Sequence, residues 1–344
     1  MTLATEEKPL AEPPARRRAR PELSWPSSTP VIGVTIGLFL LSWIIAPGSV
    51  SRSSIDALLP FAGILAIAAV GQTLVVMLRG IDLSLPGMVT LGALISSKYA
   101  ADHDSLFAAL IVVGLVAIGV GLVNGIAVTF FSVTPLVATL AVNAGLLGIA
   151  TWYTGGTPSR APDGVASFSL DKTLGVSNTV WLAIALVIVA AIATSRTSWG
   201  RRVVLVGANE HAARAAGVRV AAVQISGYVA AALCYAGAGV VLAGFVGSPN
   251  TNAGNSYLLP AIAAVVVGGT ALTGGRGSVV GSAIGALFLS QLTQLVLSLG
   301  APSSTQLILQ AAVIAVAVLA QGVDFAALRK RLIGTRRLEG ELQS

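Results

Sequence analysis

Charge is what this chain has least of: 10% of its 344 residues are Asp, Glu, Lys or Arg, against 55% hydrophobic. So apolar a composition cannot be wrapped around one water-soluble core, which leaves a polytopic membrane protein. Cysteine is nearly absent as well. The single Cys234 lies inside an apolar run, can form no internal disulfide, and says nothing about compartment. None of the four lysines, Lys8, Lys98, Lys172 and Lys330, follows a glycine, so the phosphate cradle GK[ST] is missing and the chain is not expected to bind ATP in that way. HExxH is missing too, and the two histidines, His103 and His211, fall in water-facing segments; no metal site and no catalytic residue are expected. The apolar runs also hold almost no ionisable side chain. A secondary transporter coupled to protons or charged solutes usually keeps a carboxylate or base near the midplane, so energy for this chain has to come from elsewhere.

What is present is helical in character. Runs such as Leu106 to Val128 are apolar on every side, whereas a membrane barrel would show segments of about ten residues alternating in polarity. The 38 glycines and 6% aromatic content suit helices that pack through small residues. A window near the bilayer thickness gives ten spans, near 31–46, 55–78, 83–100, 106–130, 133–153, 179–194, 221–246, 257–272, 278–299 and 305–322. With the N-terminus in the cytoplasm, 17 of the 21 Lys and Arg residues fall on inward segments; only Arg52, Lys98, Arg160 and Lys172 fall outside. The positive-inside rule selects that orientation and checks the count, since one helix more or fewer would move a basic cluster to the wrong side. The fold expected is therefore an all-α polytopic membrane protein of about ten transmembrane helices with both termini cytoplasmic. It divides into a disordered tail at 1–29, a transmembrane bundle at 30–325 and a C-terminal tail at 326–344. A cleaved signal peptide is not expected, because no small-residue cleavage pattern follows the first run. The net charge of +7 marks orientation and contact with anionic lipid, and not nucleic-acid binding. The longest outward connection, 154–178, reads either as a lid or docking surface or as a plain loop.

One polar stretch, Trp199 to Val220, interrupts the apolar runs on the inward side. Within it Asn209 can cap a short helix whose first turn holds Glu210, and Gly217 can end it. Ala212, Ala213, Ala215 and Ala216 give that helix small residues that would let another protein approach, with Arg214 and Arg219 available for acidic partners. An ordinary capped turn in a cytoplasmic loop would look the same. Asp82 reads as the cap of the third span with Ser84 assisting, or as part of an inner gate. Gly274 and Gly275, beside Arg276, permit non-helical backbone, and Arg276 can satisfy freed carbonyls; a tight interhelical turn is the simpler reading there. Among polar residues inside the spans, Gln72, Thr73, Asn124, Thr139, Asn143, Gln291, Thr293 and Gln294 either line a hydrated path or hold helices together. Gln72 and Asn143 are expected to line the path.

These stretches resemble the ribose-type permeases of ATP-binding-cassette importers, a family that also serves xylose, galactose and autoinducer-2. GANEHAARAAGVRV is similar to the family's ATPase-coupling segment, matching at Gly207, Asn209, Ala212, Ala213 and Gly217, with Val218 where isoleucine is usual. GQTLVVMLRGIDLSLPGMVTLGAL (71–94) is similar to a second family element, with Arg79 in place of a smaller residue and Pro86 in place of a small one. AIAAVVVGGTALTGGRGSVVGSAIGAL (261–287) is the most specific match, and TLAVNAGLLGIATWYTGGTP (139–158) a looser one. The resemblance implies a permease subunit that pairs with itself or a relative in the bacterial inner membrane. It further implies a cytoplasmic ATPase that carries the ATP, an extracytoplasmic sugar-binding protein that delivers a simple sugar or neutral polyol, and no cofactor on this chain. A branched-chain amino acid permease, built on a related plan, is the alternative within transport. An ATPase-independent facilitator or secondary transporter is the alternative outside it.

Overall fold

The computed structural model describes residues 29–322, and within them the chain is helical almost throughout. Helices answer the demand of hydrocarbon that every backbone N–H and C=O be satisfied within its own segment. The tails expected at 1–29 and 326–344 lie outside the described residues, Thr29 excepted. In chain order the helices are α1 (Thr29–Ile45), α2 (Arg52–Met77), α3 (Leu85–His103), α4 (Leu106–Thr129), α5 (Pro135–Thr154), α6 (Asp163–Leu170), α7 (Asn178–Arg196), α8 (Ser198–Ala208), α9 (Glu210–Ala215), α10 (Val220–Val246), α11 (Leu258–Val267), α12 (Val279–Ser298) and α13 (Ser303–Gly322). Each of the ten expected spans overlaps one of these helices, though the one expected at 257–272 is helical only over the ten residues of α11, the chain leaving the helix at Gly268. Six of them, α2, α4, α5, α7, α10 and α12, are long and apolar enough to cross a membrane.

Helix α10 is the axis of the bundle and packs against α4, α3 and α2. A Cβ on Gly121 would lie 2.4 Å from Val229 Cα, and one on Gly239 would lie 2.1 Å from Val89 O, so α4 and α3 both meet α10 at backbone contact. That closeness is how helices associate where lipid removes the hydrophobic drive. The outer faces carry the opposite signature: Phe107, Leu115, Trp152 and Val189 are exposed on α4, α5 and α7. A surface that apolar would be an aggregation hazard in water, and hydrocarbon is its natural surround.

The connection 154–178 is ordered. It folds into α6 and a short antiparallel pair, Lys172–Thr173 with Val176–Ser177. Ser169 Oγ donates to Val241 O at 3.2 Å, Ala161 N donates to Gly247 O at 2.8 Å, and the Thr179 hydroxyl donates to Ser169 O at 3.3 Å. The segment is strapped to α10 and α7 and is neither a plain loop nor a free lid.

Candidate functional site

The polar stretch between α7 and α10 folds as two helices. α8 is amphipathic: Val203 and Val206 are buried with Met77, Leu78, Val220 and Val223, while Arg201, Arg202 and Leu205 face out. Trp199 Nε1 donates to Ser226 Oγ at 2.8 Å and pins the start of α8 to α10. Asn209 closes α8 and opens α9, its N–H donating to Leu205 O and its Oδ1 accepting from Ala212 N, both at 3.0 Å. α9 then ends in a Schellman motif: Val218 N donates to Ala213 O, Gly217 N donates to Arg214 O, and Gly217 takes φ +78°. A side chain at 217 would be strained there.

The face of α9 differs from the expectation of four outward alanines. Ala213 is 3% exposed and packs beneath the helix on Val203 and Val220, because the turn needs one apolar foot on the bundle. Ala212, Ala215 and Ala216 remain outside. Arg214 is not free either; it pairs with Glu210 at 3.0 Å along the helix.

Three loops meet at this end of the bundle. The first follows α2, the second is the α8–α9 corner, and the third follows α11. Gly275 N donates to Met77 O at 2.9 Å, and a Cβ on Gly207 would sit 1.8 Å from that same carbonyl oxygen. Gly274 and Gly275 have φ of +80° and +74°, and a Cβ on Gly275 would lie 2.7 Å from Ala208 Cα. Only glycine fits both the dihedrals and the space. The resulting contact is backbone on backbone, which leaves little room for the three loops to move separately.

Arg79 crosses the junction. Its Nε donates to Gly207 O at 2.6 Å and its Nη2 donates to Ala208 O, capping carbonyls at the C-terminal end of α8 where a cation also meets the helix dipole. Arg79 adopts a left-handed backbone, φ +67°, to reach that position. A left-handed backbone favours a small residue there. In the sequence Arg79 shows only as a departure from the resemblance, and that departure is the signal that could have found it. Arg276, expected to satisfy freed carbonyls, points outward and makes no side-chain hydrogen bond among the described residues; Arg79 does that work.

Behind the junction lies a buried polar network. Asp82 and Ser84 are 1% and 0% exposed, and Asp82 Oδ1 accepts from Ser84 N at 2.8 Å and from Ser84 Oγ at 2.6 Å. Asp82 does not cap α3 as expected. The cap position is Ser84, whose side chain makes no cap bond, and the orphan N–H of Gly87 is met by Asn143 Oδ1 of α5 at 2.8 Å. Asn124 Nδ2 of α4 donates to Ser84 Oγ at 2.8 Å, and Leu83 N donates to Thr139 Oγ1 of α5 at 2.9 Å. Asp82 Oδ2 and Asn124 Oδ1 have no protein donor among the described residues. Gln72 is wholly enclosed. In the orientation that satisfies both ends of its amide, Nε2 donates to Asp82 O at 3.2 Å and to the Tyr235 hydroxyl at 2.9 Å, while Oε1 accepts from Asp82 N at 3.2 Å. Gln72 and Asn143 thus bind the 78–87 segment to α2 and α5; Gln72 is fully engaged there, while Asn143 is half-buried and uses only its Oδ1.

The geometry can be set beside known proteins. The family profile described as the permease component of branched-chain amino acid transport systems matches residues 54–318. The ribose import permease protein of Escherichia coli strain K12 is 34% identical over 281 residues, 80% of this chain and 87% of that relative. The ribose import permease protein of Bacillus subtilis strain 168 is 34% identical over 295 residues, 84% and 91%. An autoinducer 2 import system permease protein of Yersinia pseudotuberculosis is 33% identical over 272 residues, 77% and 76%. No solved structure matches.

Proposed function

The chain belongs to the ribose-type permease family of ATP-binding-cassette importers, and from that premise we propose that it forms the membrane path for a simple sugar or related neutral polyol. It lies in a bacterial inner membrane with ten spans and both termini in the cytoplasm, pairs with a second permease copy and touches lipid on its outer faces. It has no ATPase site of its own. ATP is bound by a cytoplasmic partner, and an external binding protein delivers the solute.

The observation that carries this reading is the three-loop junction. α9, a capped helix on the basic side of the chain, is locked through Gly207 and Ala208 to the loops that follow α2 and α11. A push on α9 by a closing ATPase would be delivered directly to those two helices. Asn209, Glu210, Ala212, Arg214 and Gly217 form the docking piece, with Ala213 its buried foot. Asp82, Ser84, Gly274 and Gly275 tie that piece to the inner end of the bundle. The branched-chain amino acid reading draws on the description of the matching family profile. Against it, Asp82 is the only charged side chain among the described buried residues, and an amino acid brings an ammonium and a carboxylate that both need partners.

The test is capture of the tagged chain from its native membrane in mild detergent, followed by mass spectrometry. An ATPase subunit should accompany it and be lost in Ala212→Arg, an outward change that leaves the foot at Ala213 intact. A chain that comes down alone and still transports in vesicles would overturn the importer reading in favour of a facilitator.

A further inference from the structure

Most buried polar side chains of this bundle are matched, either by main-chain carbonyls, as at Thr35, Ser96 and Thr154, or by one another: Thr73 meets Ser282, Asn124 meets Ser84, Tyr235 meets Gln72. Single unmatched atoms remain at Ser42, Asp82 and Asn124, and the Gln291 amide is unmatched at both atoms among the described residues; one cavity gathers several such groups on its wall. It measures about 430 Å³ and lies among the first half of α2, the end of α10, the turn before α11, and α12 and α13. Ser256, the Tyr257 hydroxyl, Ser290 and Gln294 line it and make no side-chain hydrogen bond among the described residues; Gln310 Oε1, on a residue 2% exposed, has no donor among them. Gln306 donates to Thr293 at 3.3 Å across the same wall. The opposite wall is apolar, with Leu58 and Leu65 flanking Phe61, whose ring meets Phe245 edge to face at 4.6 Å. No residue lining the cavity carries a charge.

Tyr257 and Gln310 are buried, Ser290 and Gln294 half-buried, and Ser256 lies exposed at the mouth; leaving the buried hydroxyl and amide unmatched in an apolar surround is costly unless water or a ligand matches them. The two walls describe that ligand. Amides and hydroxyls supply both donors and acceptors, as the hydroxyls of a polyol require, and Phe61 offers a flat apolar face to ring C–H groups. The volume is at the lower end of small-molecule sites, roughly 300–1,000 Å³, which suits a sugar of five or six carbons with some water. We propose that this cavity is the place in the permease where the solute is held on its way through, recognised by Ser290, Gln294 and Gln310 on one side and Phe61 on the other. The inference rests on the importer reading and moves the path from Gln72 and Asn143 to α12 and α13.

The experiment uses the complete importer, permease with its ATPase and binding protein, in proteoliposomes, with D-ribose, D-xylose and D-galactose as probes. In Gln294→Leu/Gln310→Leu, uptake of the transported sugar should fall about tenfold or more, the scale of one or two lost hydrogen bonds. Hydrolysis of ATP stimulated by the binding protein should stay within about twofold, because the coupling junction is at the other end of α2. Unchanged uptake would overturn the cavity assignment while the importer reading stands. ATP-independent uptake by the wild-type chain alone would overturn the importer reading itself. Should the double variant fail to assemble, Ser290→Cys in a Cys234→Ala background replaces it. Reaction with a charged, water-soluble thiol reagent supports a hydrated solute site, and reaction only with a lipid-soluble maleimide would mean an acyl chain occupies the cavity and overturn the proposal.

Discussion

The two ends of α2 are built in opposite ways. Near Met77 the chain meets its neighbours through backbone atoms, and a single Cβ at Gly207 or Gly275 has nowhere to go. Near Leu58 the same helix borders a cavity whose polar side chains are largely unmatched. Nineteen residues separate Leu58 from Met77, about 28 Å along a helix rising 1.5 Å per residue. Rigid contact passes on a displacement and admits nothing; an open, uncharged cavity admits a solute and passes on little. One continuous helix joining the two gives a physical route from a cytoplasmic push to a change around the solute.

The contrast breaks most visibly at Gly207. Gly207→Val puts side-chain atoms where Met77 O already is, and overpacking of a site with no slack should cost about 3 kcal/mol or more. Uptake should be abolished and the melting temperature, followed by tryptophan fluorescence in detergent, should drop sharply. Ser290→Val, at the cavity, should leave the melt nearly unchanged. Equal thermal penalties at the two positions would remove the distinction between a packed end and an open one.

Arg79 sharpens the comparison with a smaller effect. Arg79→Ala keeps the left-handed backbone and loses both bonds to the α8–α9 corner, for a loss of roughly 1–3 kcal/mol. Arg79→Gly loses the same bonds but relaxes the backbone, and should be milder than alanine by about 1 kcal/mol. Thermal melts of the two variants side by side decide it; a glycine variant as unstable as the alanine one would mean that the backbone at 79 carries no strain.

Much of this architecture is legible in the order of the amino acids. The long apolar runs are helical because run length and lipid leave the backbone little choice, six of them long enough to cross a membrane, and Asn209 and Gly217 bracket α9 because cap chemistry is local. The meeting of three loops is not legible, since backbone contacts leave no trace in a sequence beyond glycine itself, and glycine has many uses. The inward turn of Ala213 is hidden for a related reason: in a six-residue helix made largely of alanine, no periodicity says which alanine faces the bundle. α6, eight residues long and strapped down by hydrogen bonds to main-chain carbonyls, is too short for any pattern. The cavity is half visible. Gln294 and Thr293 stand out as polar residues in an apolar span, but Gln72 and Asn143 stand out equally, and only the hydrogen-bond partners tell a satisfied amide from a free one.

Asn209 tests whether the docking piece is held by its cap. Asn209→Ala removes the acceptor for Ala212 N and should cost about 0.5–2 kcal/mol, concentrated in α9. Hydrogen exchange should quicken at residues 210–217 and stay unchanged around the cavity, and Asn209→Asp should restore most of the protection. Faster exchange at both ends would show that the junction and the cavity melt together.

The smallest effect concerns Glu210 and Arg214, an exposed pair on one face of α9. Such pairs add less than about 1 kcal/mol, so Glu210→Gln, Arg214→Ala and the double change should all leave the permease's melt within error. That unchanged melt is what makes the pair informative. Because the fold does not depend on it, any loss of ATPase capture or stimulated hydrolysis in Arg214→Ala belongs to the contact with the partner and not to a disturbed α9. Arg214→Ala that both melts normally and couples normally would place the docking contact on the alanine face, at Ala212 and Ala216. A variant that melts normally but loses coupling would place it on the arginine, and the stimulated hydrolysis of the wild type should then fall as ionic strength rises while that of Arg214→Ala changes little, since a contact at the surface is screened by salt.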